Sequence, residues 1–121
     1  MALEKPMAIT RLSTHVLDLT AGQPAAGMAI ALYRLVGSRR ELVTSTVTNT
    51  EGRTERPLLD DEEVAPGRYE LSFSVRDYFA ARGIACPFLE VVPIVFEISL
   101  GERYHVPLLV TPWSYSTYRG S

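Results

Sequence analysis

Residues 69–75 read Tyr-Glu-Leu-Ser-Phe-Ser-Val, and this alternation constrains the fold more than any other stretch of the chain. Side chains on a strand point alternately to opposite faces, so Tyr69, Leu71, Phe73 and Val75 form one apolar row while Glu70, Ser72 and Ser74 form a polar one. Such a segment needs a core on one side only, which is the pattern of an antiparallel sheet in a layered all-β protein. Further β-rich runs occupy 28–35, 41–49, 91–99 and 103–111, punctuated by turn chemistry at Gly37, Glu51-Gly52, Pro66-Gly67 and Gly101-Glu102. Spacing this regular predicts a sandwich. Pro93 and Pro107 cannot donate to a ladder, so each is expected at an edge, a strand end or a bulge. One helical turn is expected over Tyr78–Arg82, capped by Asp77 and ended by a left-handed Gly83. The acidic run Asp60-Asp61-Glu62-Glu63 reads as a solvated loop.

Length and charge narrow the functional classes. A chain of 121 residues with 46% hydrophobic content suits one compact domain, expected over 8–121 behind a short extension at 1–7. Twelve basic and fourteen acidic residues are scattered along it, without the concentrated footprint that a nucleic acid backbone or an anionic membrane requires. Nucleic acid is not an expected partner. No stretch approaches the about 18 apolar residues of a membrane span, and "MALEKPMAIT" lacks the apolar core of a signal peptide, so the expected address is the cytoplasm. The one cysteine, Cys86, has no internal partner for a disulfide and no activating charge in "GIACPFLE", and reads as buried filler.

Few residues can carry chemistry. The two histidines are His15 in "STHVLDL" and His105 in "RYHVPLL", both in strand-like surroundings. In the second run Tyr104, Val106, Leu108 and Val110 form the apolar phase, which leaves His105 on the opposite face with Arg103 and Thr111. An isolated strand histidine is ordinarily a surface or hydrogen-bonded structural residue, and the same holds for Arg53 in "TNTEGR" as a solvated charge. The alternative for Arg53 is that Gly52 makes a turn and the guanidinium, starting the next strand at the sheet rim, binds a planar anion bidentately. Two histidines and one distant cysteine, without HxH, HExxH or CxxC spacing, are a poor donor set for zinc, so no metal or cofactor is expected. No GxSxG elbow supports a serine triad.

Three blocks occur in a recognisable order: "THVLDLTAGQPAAG", "TNTEGR" and "YHVPLLVTPWSYSTYRGS". Together they resemble the 5-hydroxyisourate hydrolases, the transthyretin-related family of urate degradation, over nearly the whole chain. The most specific element is Tyr118-Arg119-Gly120-Ser121, because hormone-carrying transthyretins share the fold but lack this ending and both histidines. Ser114 stands where the family commonly has glycine, and Glu51 replaces the usual aspartate.

The resemblance implies a transthyretin-like sandwich of two four-stranded sheets with one short helix, assembled as a homotetramer, a dimer of dimers with active sites in the channel between dimers. It implies hydrolysis of 5-hydroxyisourate to 2-oxo-4-hydroxy-4-carboxy-5-ureidoimidazoline without a metal. It also implies a site lined by His15, Arg53, His105 and Ser121, with Tyr118 contacting substrate alongside His15 and Arg53. Within that frame His105 is the expected general base, Ser121 the group that orients water, Arg53 the oxyanion partner, and His15 the group that positions or protonates the opened ring. Tyr118 and Arg119, adjacent on a strand, are expected to face opposite ways, with Arg119 left a structural role. The rival reading is a non-catalytic transthyretin-like protein that binds a small ligand.

Overall fold

The computed structural model describes residues 9–61 and 64–120. The proposed extension at 1–7, Glu62, Glu63 and Ser121 therefore lie outside the described residues.

One sheet holds β4 (Ala29–Val36), β5 (Arg39–Val47), β7 (Gly67–Ser74) and β8 (Val91–Ile98), antiparallel throughout in the order β5-β4-β7-β8. The alternation of residues 69–75 does what it predicts here. Tyr69, Leu71 and Phe73 are buried in the core, and Glu70 and Ser74 lie on the other side. Ser72 is also buried, although it belongs to the polar row. Its hydroxyl donates to Glu70 Oε2 at 2.7 Å, which meets the requirement that a buried polar group be paired. Pro93 lies on β8, an edge strand, where proline is tolerated and was expected.

The second layer is built from broken strands. β1 (Thr10–Ser13) and β2 (Val16–Asp18) are successive halves of one extended run, as are β9 (Arg103–His105) and β10 (Leu108–Val110). The two runs pair in parallel, Arg11–Ser13 with Arg103–His105 and Val16–Asp18 with Leu108–Val110. Across the interruption Val106 N–H still donates to the Ser13 carbonyl at 2.9 Å, and Leu108 N–H to the His15 carbonyl at 2.9 Å. On one flank lie β3 (Gln23–Pro24) and β6 (Leu59–Asp61), and on the other β11 (Tyr115–Thr117), so the layer is four strands wide. Pro107 falls at the break between β9 and β10. The single run expected over 103–111 is split there because proline cannot continue the ladder. Leu12, Val16, Leu108 and Val110 from this layer share a contiguous core with Ile30, Leu32, Leu71 and Phe73 from the other.

Two expectations need correction. The helix is α1, Val75–Ala80, earlier than Tyr78–Arg82, and Asp77 lies within its first turn rather than at its cap. Val75, Tyr78 and Phe79 are all buried, so an i, i+3, i+4 stripe anchors the helix and takes Val75 from the strand pattern. Gly83, with φ of 71°, follows the helix as expected. The acidic run is not simply a loop. Leu58 is buried and Leu59 packs on the core, which draws Leu59–Asp61 into pairing with β1, and Asp60 accepts hydrogen bonds from the Arg11 guanidinium opposite it at 3.1–3.3 Å.

Candidate active site

The period-two rule places Ser13, His15 and Leu17 on one face of β1–β2, with Leu12, Thr14, Val16 and Asp18 buried beneath them. By the same rule His105 shares its face with Arg103, while Tyr104 and Val106 are buried. Parallel pairing sets Ser13 directly opposite His105. Sequence reasoning identified both histidines but overlooked Ser13, although a residue two before His15 on a strand must share its face.

Each histidine is held by a specific partner. His15 Nε2 lies 2.8 Å from the Glu51 main-chain oxygen, and because a carbonyl can only accept, Nε2 carries a proton and in the neutral ring the lone pair is on Nδ1. His105 Nδ1 lies 2.9 Å from Ser13 Oγ. Burial lowers the His105 pKa below the ordinary histidine value, and the positive charges of Arg53 and His15 lower it further. The shift favours the neutral ring, and His15, Arg53 and His105 form one electrostatic group.

Arg53 does not begin a strand, contrary to expectation. It sits exposed in the loop between β5 and β6, because Asn49 folds that loop on itself. Asn49 Oδ1 accepts the N–H groups of Glu51 and Arg53 at 2.9 and 3.1 Å, and Asn49 N–H donates to the Arg53 carbonyl at 2.8 Å. Gly52, at φ of 75°, then brings its carbonyl to Val16 N–H at 2.8 Å. A Cβ at Gly52 would overlap the Val16 carbonyl oxygen, so only glycine lets the loop lie this close to β2. The same approach delivers the Glu51 carbonyl to His15. The Glu51 side chain takes no part in that bond, so the contact does not depend on which side chain stands at this position.

The C-terminal segment returns to the site. Gly120 N–H donates to the His105 carbonyl at 2.6 Å, and a Cβ at Gly120 would stand 3.0 Å from His105 Cδ2. Arg119 secures this approach. Its Nη2 donates to Glu102 Oε1 and to the Arg103 carbonyl, both at 3.0 Å, and its guanidinium lies 4.5 Å from the Tyr104 ring centroid. Tyr118 is 60% exposed and, with Arg119, lines a cavity of about 250 Å³ bordered by Ile94, Phe96, Tyr104 and Val106. β11 ends at Thr117, so Tyr118 and Arg119 lie beyond the strand whose alternation was expected to set them on opposite faces. Ser114 belongs to a turn in which Thr111 Oγ1 accepts its N–H at 3.0 Å, and with no positive φ there the position does not require glycine.

Beneath the site Asp18 is 1% exposed and fully engaged. Its Oδ1 accepts Thr20 and Ala21 N–H at 2.9 and 3.1 Å, and its Oδ2 accepts the Tyr78 hydroxyl at 2.8 Å, which ties α1 to β2. Cys86 is buried, as expected, and donates to the Leu89 carbonyl at 3.2 Å. Among the described residues no three His, Cys, Asp or Glu side chains gather as metal ligands, and no helix is long and apolar enough to cross a membrane.

Residues 12–120 match the family model described as HIUase/Transthyretin family. The chain belongs to that family. Within it, the chain is 50% identical over 115 residues to a 5-hydroxyisourate hydrolase of Ralstonia nicotianae, covering 92% of this chain and 98% of the relative. The solved 5-hydroxyisourate hydrolase of Klebsiella pneumoniae superposes with a TM-score of 0.77 at 36% identity, covering 92% of this chain and 99% of the other. A sea bream transthyretin solved in complex with thyroxine gives a TM-score of 0.82 at 26% identity, over 91% and 94% of the two chains. The architecture is thus shared across the family, whereas sequence identity is higher towards the hydrolases.

Proposed function

We propose that this protein hydrolyses 5-hydroxyisourate to 2-oxo-4-hydroxy-4-carboxy-5-ureidoimidazoline, a step of urate degradation. The observation that carries the reading is a pair of imidazoles, His15 and His105, on one face of adjacent strands, with Arg53 carried by the loop whose Glu51 carbonyl holds His15. The identity to the Ralstonia hydrolase supports the same substrate. In this mechanism His105 takes a proton from water as hydroxide adds to a ring carbonyl, and Arg53 stabilises the resulting oxyanion through its planar fork. Collapse breaks the ring C–N bond, releasing a carboxylic acid and a nitrogen that needs a proton. The proton that His105 took from water passes to that nitrogen, with His15 holding the opened ring through Nδ1 while its Nε2–H is tied to the Glu51 carbonyl, and the new carboxylic acid loses its own proton to solvent. Ser121 orients the water and Tyr118 contacts substrate. The attacking oxygen is activated by imidazole, without a metal ion.

The catalytic unit in this reading is one domain, 8–121, acting in the cytoplasm as a homotetramer whose sites lie in the channel between dimers. Edge strands β8 and β11 are suited to pairing with a second copy. Light scattering should then report a tetramer, and a fully active monomer would remove the channel from the scheme. The sea bream complex with thyroxine favours a second reading, a carrier of a small aromatic ligand. One assay separates the two. Purified protein added to freshly generated 5-hydroxyisourate should accelerate its ultraviolet decay in proportion to enzyme, whereas decay at the buffer rate would favour the carrier.

A further inference from the structure

We propose that Ser13 is a positioning residue for His105: its hydroxyl accepts the Nδ1–H of the imidazole and so leaves the lone pair on Nε2. The inference rests on the hydrolytic reading for the direction of the bond and for its kinetic consequence, whereas the contact itself stands without it. The two groups are 2.9 Å apart and directly opposed in the parallel ladder. The strands cannot easily slide there. Val106 N–H donates to the Ser13 carbonyl at 2.9 Å, and buried Thr14 Oγ1 donates to the Val106 carbonyl at 2.7 Å. On its other side the ring meets Gly120, where an added Cβ would stand only 3.0 Å from His105 Cδ2.

A half-turn of the ring about Cβ–Cγ would exchange Nδ1 with Cδ2. Ser13 would then face a C–H group and the ring nitrogen would face Gly120, so the hydrogen bond selects one of two sterically similar orientations. The direction of the bond follows from the work asked of the ring. A hydroxyl that accepts from Nδ1–H keeps that bond whether Nε2 is empty or protonated, so His105 can take a proton from water and release it without rearrangement. A hydroxyl donating to Nδ1 would have to rotate on every proton transfer. His15 carries the opposite tautomer, fixed by the Glu51 carbonyl, so the two rings present Nε2 and Nδ1 respectively.

Long-range ¹H–¹⁵N correlation spectra of the wild-type protein at pH 8 read the tautomer without any substrate. His105 should show a pyrrole-type Nδ1 and a pyridine-type Nε2, and the reverse assignment would overturn the proposal. In Ser13→Ala the spectrum should move to a tautomer mixture, and in Ser13→Thr it should stay as in the wild type; an unchanged tautomer in Ser13→Ala would equally refute it. Kinetically, Ser13→Ala should lower kcat by about tenfold to a hundredfold, on the scale of acid–base catalysis, with KM within about twofold. Ser13→Thr should restore most of the rate, and full kcat in Ser13→Ala would eliminate the positioning role. Should the wild type fail to hydrolyse 5-hydroxyisourate, the functional reading falls and the spectra alone decide the role of Ser13.

Discussion

Gly52→Ala should destabilise the protein by about 2–4 kcal/mol and lower turnover with it. A left-handed φ of 75° costs an L residue about 1–2 kcal/mol. The added Cβ would also overlap the Val16 carbonyl oxygen and stand 3.1 Å from Pro24 Cβ and 3.3 Å from Ala25 N, backbone or proline-ring atoms rather than flexible side-chain ends. To relieve this the loop must retreat, breaking the 2.8 Å bond from Val16 N–H to the Gly52 carbonyl, and a buried backbone group left unpaired costs about 1–3 kcal/mol. Reduced freedom of the unfolded chain returns roughly 0.4–1 kcal/mol. Gly37→Ala is the control, because φ there is 60° but no atom lies within 4 Å of the added Cβ. It should lose about 1 kcal/mol and keep its activity. Urea unfolding at one fixed protein concentration, with m-values compared, reads both variants. Activity should separate them further, because the retreating loop carries the Glu51 carbonyl away from His15 and displaces Arg53. Equal midpoints for the two variants would refute the close-approach argument, and full activity in a destabilised Gly52→Ala would refute the link from loop to site.

The depressed pKa of His105 has a sign that can be checked. At pH below about 6.5 the unfolded chain binds a proton that the folded protein resists, so stability should fall as pH drops from 6.5 through the lowered folded value. The urea midpoint should show this slope in wild type and much less of it in His105→Gln. The His105 ring resonances should titrate below pH 6.5, and below that in Arg53→Gln by a smaller margin; a wild-type midpoint at or above 6.5 would discard the assigned burial and charge effects. His15→Ala and His105→Ala should each lower kcat/KM by at least about tenfold while circular dichroism stays unchanged, and Arg53→Lys should also be impaired because an ammonium lacks the planar fork. Wild-type rates in these variants would remove the residues from the site. Tyr78→Phe should cost about 1–3 kcal/mol by leaving Asp18 Oδ2 without its 2.8 Å partner, with kinetics near wild type once folded; an unchanged urea midpoint would show that bond to be dispensable.

Local chemistry determined much of this protein. Alternation in 69–75 marked a one-sided strand, prolines 93 and 107 marked an edge and a break, and the blocks around His15, Arg53 and His105 marked the family and its candidate site. These signals are legible because strand periodicity and turn preference act between near neighbours in the chain. What the sequence left open were choices between distant partners. Val75 fits both a strand row and a helical stripe, and burial of Tyr78 and Phe79 decided for the helix. Asp60 fits a solvated loop until Arg11 lies across from it. Arg53 could be placed only once Asn49 had closed its loop and Gly52 had met β2. Ser13 shares a face with His15 by simple alternation, yet that it holds the other histidine follows from a parallel register across 92 residues. No local rule sets such a register. It is fixed by which apolar rows of both sheets can be buried together, and so belongs to the tertiary structure alone.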